Sequence, residues 1–115
     1  MKYAFCFLAV FLVPAILLAA DLEKGKAIYS QRCVSCHGAS GLGDGPIGAG
    51  LPPAMKPRDF QTAAFKYATD DAKMKDVITK GGVPFGLNPL MAPQAGLSDE
   101  DLNNIVAYVR SLKKK

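Results

Sequence analysis

Residues 33–37 read Cys-Val-Ser-Cys-His, and His37 is the single histidine among 115 residues. Two thiols spaced by two residues support three chemistries: a zinc site, a thiol–disulfide couple, or covalent attachment of a haem. A structural zinc site needs four Cys or His ligands. Apart from Cys6 near the N-terminus, the chain offers Cys33, Cys36 and His37, and adjacent residues 36 and 37 are poorly placed to share one tetrahedron. A redox dithiol usually opens a helix after a strand, whereas Cys33 closes a helical pattern and a Gly-rich loop follows it. Haem attachment gives every residue a task. Two thiols reach the two vinyl groups of one porphyrin edge, and the next side chain arrives beneath the iron as an imidazole ligand. The motif favours haem, with the dithiol and zinc as alternatives.

The elements that must carry this motif are helical. Residues 21–33 place Leu22, Gly25, Ile28 and Tyr29 on one helical face, with Asp21 as N-cap. A glycine inside a helix costs up to about 1 kcal/mol relative to Ala, so Gly25 is expected where another backbone or ring comes close. Residues 38–57 are crowded with Gly and Pro and read as loop. In the segment that follows, Phe60, Phe65 and Tyr67 are expected to cover something apolar. Thr69 is the expected cap of a helix with Met74, Val77 and Ile78 on one face and Gly81-Gly82 at its end. After a second loop comes the clearest helix. Ser98 caps it, three acids occupy its first turn, and Leu102, Ile105, Val106, Val109 and Leu112 form its buried stripe, with Leu97 placed to staple onto Leu102. No segment reads as a strand, so the fold class is all-α.

Residues 1–20 carry one lysine and then an apolar run ending in small residues, the layout of a secretory signal peptide. The run is also long enough for an uncleaved membrane anchor. The domain organisation is therefore a leader, 1–20, and one domain, 21–115. Without the leader, thirteen basic residues face ten acidic ones, a net charge of +3. That mild and scattered surplus excludes a nucleic-acid-binding signature and at most steers the protein toward an acidic surface. A domain this small, with roughly twenty residues in Gly/Pro-rich loops, buries a thin core. A large apolar cofactor would supply the missing interior.

The helix with Gly25 and Tyr29 ahead of CVSCH, the loop HGASGLGDGP, a methionine loop and the closing AYVRSL helix together resemble the class I c-type cytochromes, specifically the bacterial monohaem carriers. The resemblance runs over residues 21–113. It implies three to five helices wrapped around one covalently bound haem c, with the first and last helices crossing near Gly25 and Tyr108. It implies Cys33 and Cys36 as attachment points and His37 as one axial iron ligand. The sixth ligand it implies is Met91, in NPLMAP, 54 residues after His37; in the family this methionine commonly stands directly before a proline, and here Ala92 intervenes. Met55 in LPPAMKP is the alternative, and Met74 reads as core packing. The resemblance also matches Pro46 to a carbonyl that accepts a hydrogen bond from the proximal imidazole, although Pro46 reads equally as a turn proline. Arg58, Tyr67 or Lys56 are candidates for the haem propionates.

The function this implies is single-electron transfer between redox protein partners in the periplasm, by a monomer or complex subunit with no catalysis of its own. Contact with a membrane is expected only if residues 1–20 are retained. The alternatives are a haem subunit or domain of a larger oxidoreductase, and a five-coordinate haem that binds a small ligand.

Overall fold

A computed structural model of the chain describes residues 2–4, 6, 8–11, 19–62 and 64–114. The expected leader thus lies in large part outside the described residues, among which no helix is long and apolar enough to cross a membrane. In chain order the helices are α1 (Leu22–Arg32), α2 (Val34–His37), α3 (Pro46–Ala49), α4 (Asp71–Lys80) and α5 (Asp99–Ser111), with 3₁₀ turns at Pro53–Met55 and Val83–Phe85. The described residues contain no strand, in agreement with the all-α expectation.

The helix starts follow from their caps. Asp21 accepts from Lys24 N at the head of α1, and Ser98 and Asp101 exchange side-chain and backbone bonds in a full capping box at the head of α5. At α4 the cap is Asp70, which accepts from Lys73 N, and Thr69 lies one residue outside. An Asp carboxylate is the stronger acceptor for the first free amides at a positive helix end, which explains the one-residue shift. The segment expected as loop contains the single turn α3, with Pro46 at its first position, a place where a missing N–H costs nothing.

Helices α1 and α5 cross at Gly25. A Cβ there would lie 2.1 Å from the Asn104 carbonyl oxygen and 3.0 Å from Tyr108 Cβ, which accounts for the helical glycine. Beside the crossing, Tyr29 meets Tyr108 edge to face at 5.1 Å, and Asp21 N donates to Asn104 Oδ1 at 2.8 Å. Asn104 is only 3% exposed; the apolar stripe of α5 did not signal it, because its burial comes from capping the neighbouring helix. Leu22, expected on the buried face of α1, is 46% exposed, while Gly25 and Tyr29 of the same face are buried. Ile105, Val106 and Val109 of α5 pack with Tyr29, Met74 and Ile78 in the core, with Leu97, Leu102 and Leu112 against it. Full burial of a side chain such as Ile105 contributes about 2 kcal/mol. Arg110 Nε donates to Asp71 Oδ1 to join α4 to α5 at the surface.

Candidate cofactor site

The motif sits where α1 runs into α2. Cys33 N donates to Tyr29 O at 2.8 Å and His37 N to Cys33 O at 2.9 Å, so the three chemically active side chains lie on consecutive turns of nearly continuous helix. The Gly-rich loop then folds back on them. Gly43 N donates to His37 O (2.8 Å) and Gly45 N to Cys36 O (3.2 Å), while the Tyr29 hydroxyl donates to Gly38 O at 2.6 Å. These bonds hold the backbone on either side of His37.

The His37 ring stacks on Phe60, with centroids 4.6 Å apart and planes 19° from parallel. Phe60 is held in turn by its N–H, which donates to Gly41 O at 2.7 Å. Burial pulls the His37 pKa down to about 4, so the imidazole is neutral and keeps a lone pair for a metal across the physiological range. Nδ1 of His37 is buried without a hydrogen-bond partner. The Pro46 carbonyl therefore does not serve it, and Pro46 takes the other role read from the sequence, that of a proline opening a turn. Burial likewise pushes the Cys33 thiol up to about 11, Arg32 opposing and Cys36 adding. A redox nucleophile needs the opposite shift, which weakens the dithiol alternative.

A cavity of ≈ 1000 Å³ opens in front of the motif, lined by Cys33, Cys36, His37, Met91, Met55 and Met74 among others. The structure therefore brings Cys33, Cys36, His37 and Met91 to one space, from opposite ends of the domain. It also brings in Met55 and Met74. Met74 is 4% exposed and belongs to the apolar core, as its helical position indicated. Arg58, Tyr67 and Lys56 all line the cavity too, and nothing separates them as partners for an acidic group.

Met91 is pinned on both sides. Its N–H donates to Asn88 O (3.1 Å), its carbonyl accepts from Gly82 N (2.9 Å), and three residues on Gln94 N donates to Ile78 O (2.9 Å). Gly81, at φ +77°, leaves room for this loop: a Cβ there would lie 2.7 Å from the Met91 carbonyl oxygen. Gly81-Gly82 end α4 as the sequence indicates; their second task, seating the methionine loop, carries no local signal. Asn88 was missed altogether.

The residues present fit a large planar apolar group with a metal at its centre. Two thiols and a neutral imidazole share the cavity with a thioether, and Met74, Ile78, Ile105 and Val109 supply apolar wall.

Comparison with known proteins agrees. A family model described as Cytochrome c matches residues 22–113. Cytochrome c-554(547) of Halothiobacillus neapolitanus is 38% identical over 98 residues, which cover 83% of this chain and all of that protein. The cbb3-type cytochrome c oxidase subunit CcoP of Azospirillum brasilense is 31% identical, covering 82% of this chain but 29% of the subunit. Among solved structures, a chain of the reducing HAO-like protein complex of Kuenenia stuttgartiensis superposes with a TM-score of 0.66 at 33% identity, over 79% of this chain and 42% of that one.

Proposed function

This chain belongs to the cytochrome c family, whose cofactor is covalently attached haem c with its iron, and on that footing we propose that it is an exported monohaem carrier passing single electrons between redox proteins. When bound, haem c supplies a reversible one-electron couple at its iron. Cys33 and Cys36 would hold it through thioethers, and His37 and Met91 would ligate its iron. The observation that carries this reading is that one cavity receives Cys33, Cys36 and His37 from one end of the domain and the doubly tethered Met91 from the other.

The chain's own residues then have definite tasks. Phe60 fixes the plane of the His37 ring by stacking. The buried side chains of Met74, Ile78, Ile105 and Val109 give the cavity an apolar wall. A methionine ligand beside the histidine would favour a raised reduction potential. Iron ligated by both side chains would have no place for a substrate, which favours transfer over catalysis. Of the charged residues lining the cavity, Arg32, Lys56, Arg58 and Lys66 are cationic and Asp59 alone is anionic, a balance that suits brief encounters with an acidic partner surface. The apolar run in residues 1–20 supports export to the periplasm.

Absorption spectra of the purified holoprotein test the reading. The wild type and Met55→Ala should show the sulfur-to-iron charge-transfer band of the oxidised state, and Met91→Ala should lack it. Persistence of the band in Met91→Ala together with its loss in Met55→Ala would move the sixth ligand to Met55. Absence of the band from the wild type, with rapid carbon monoxide binding after reduction, would point to a five-coordinate iron. A second reading, a haem-bearing subunit of a larger oxidoreductase, draws on the likeness to the oxidase subunit. It predicts stable co-purification with a partner chain at physiological salt.

A further inference from the structure

Asn88 makes four contacts within the loop system that carries Met55 and Met91. Its side-chain Nδ2 donates to the Met55 carbonyl at 2.6 Å, across 33 positions of sequence. Its Oδ1 accepts from Leu90 N at 2.9 Å, closing an Asx turn over Pro89. Its own carbonyl accepts from Met91 N at 3.1 Å and packs against Gly82, where a Cβ would come within 2.2 Å of it. The two side-chain bonds fix the amide orientation between them, because reversal would set oxygen against carbonyl oxygen and NH₂ against N–H.

We propose that Asn88 is a positioning residue, a latch that ties the Met91 loop to the Met55 segment and so sets how readily Met91 yields its place on the iron to another ligand. The proposal rests on the reading of Met91 as sixth ligand. Tethers to Gly82 and, through Gln94, to Ile78 fasten the loop to the α4 side. Among the described residues no other side-chain hydrogen bond of the 86–94 loop reaches the 53–57 segment, so the Asn88–Met55 bond closes the loop's other side. A loop held on both sides keeps Met91 at the cavity; one held on a single side can swing out as a unit. Breaking one bond of this kind shifts such an equilibrium by about fivefold to tenfold.

Asp at position 88 separates the two roles. It still accepts from Leu90 N and preserves the turn, but cannot donate to the Met55 carbonyl. The test is equilibrium binding of imidazole to the oxidised holoprotein, which displaces a methionine ligand, compared for wild type, Asn88→Asp and Met91→Ala. The expected result is imidazole affinity raised about fivefold to tenfold in Asn88→Asp, with the sulfur-to-iron band still present before imidazole is added. Raised imidazole affinity with the band intact is the readout that a merely structural role would not move. Wild-type imidazole affinity in Asn88→Asp, alongside loss of the band in Met91→Ala, would overturn the latch and leave the ligand reading standing. Persistence of the band in Met91→Ala would instead overturn the ligand reading and the latch with it. Should Asn88→Asp not mature, NMR of the reduced wild type decides. The Asn88 side-chain amide protons should exchange slowly and lose that protection when imidazole binds the oxidised form; fast exchange in the free protein would overturn the proposal.

Discussion

Gly25 lacks a side chain where Asn104 needs its place: a Cβ at position 25 would lie 2.1 Å from the Asn104 carbonyl oxygen. On an open helix surface, Gly→Ala stabilises by up to about 1 kcal/mol. Here the sign reverses. Gly25→Ala should destabilise the holoprotein by about 1–3 kcal/mol, because α1 must lift from α5 to admit the methyl group. Thermal denaturation should show a melting temperature lowered by on the order of 10 °C. An unchanged or raised value would mean that the crossing is looser than this contact implies.

Tyr29 makes stability fall at alkaline pH. Its hydroxyl donates to Gly38 O at 2.6 Å, and burial first, then Cys33, Tyr108 and Asp44, push its pKa well above the ordinary value of 10. Above that ordinary value the unfolded chain releases the Tyr29 proton while the folded chain keeps it. The folded state then binds more protons, and stability drops as pH rises. Tyr29→Phe should cost about 1 kcal/mol at neutral pH, by removing one of the two hydrogen bonds to the Gly38 carbonyl and leaving it the longer one from Gly41 N, and should flatten the alkaline decline. Urea denaturation at about pH 7 and about pH 11 measures both effects.

Ser98 and Asp101 form the capping box of α5, each bond 3.0 Å long. Ser98→Ala should lower stability by about 1 kcal/mol. Its visible spectrum should match wild type, since neither residue lines the cavity. A changed spectrum would show that fraying of α5 reaches the iron.

Gly81 stands at φ +77° with the Met91 carbonyl and Pro93 against it. Gly81→Ala combines a left-handed backbone with a clash and should cost about 2 kcal/mol. Because the displaced group is the methionine loop, the variant should also weaken the sulfur-to-iron band and speed carbon monoxide binding by the reduced protein. Loss of stability with an intact band would confine Gly81 to ending α4.

Much of this was legible because it is local. The starts of α1 and α5 and the end of α4 follow from single residues, Asp21, Ser98 and Gly81, that satisfy or release free backbone groups within one turn. Thr69 and Asp70 compete for the same amides, and there the expectation missed by one residue. Gly25 announced a close approach but not its partner's buried polar face, since the apolar period of α5 is silent about Asn104. Leu22 shows the converse, an apolar residue in register with the buried face that the core does not reach.

The sequence alone determined the family and half of the candidate iron site, because Cys33, Cys36 and His37 fall within two turns of helix and their spacing is itself the geometry. The tertiary structure decided the rest: that Met91 arrives at the same cavity as Met55 and Met74, that Phe60 stacks on His37, that Pro46 does not serve the imidazole, and that Asn88 joins two loops 33 positions apart. Those relationships run through Gly- and Pro-rich connections with no hydrophobic period. Where such loops go is set by the surfaces they close upon, which exist only once the helices have packed.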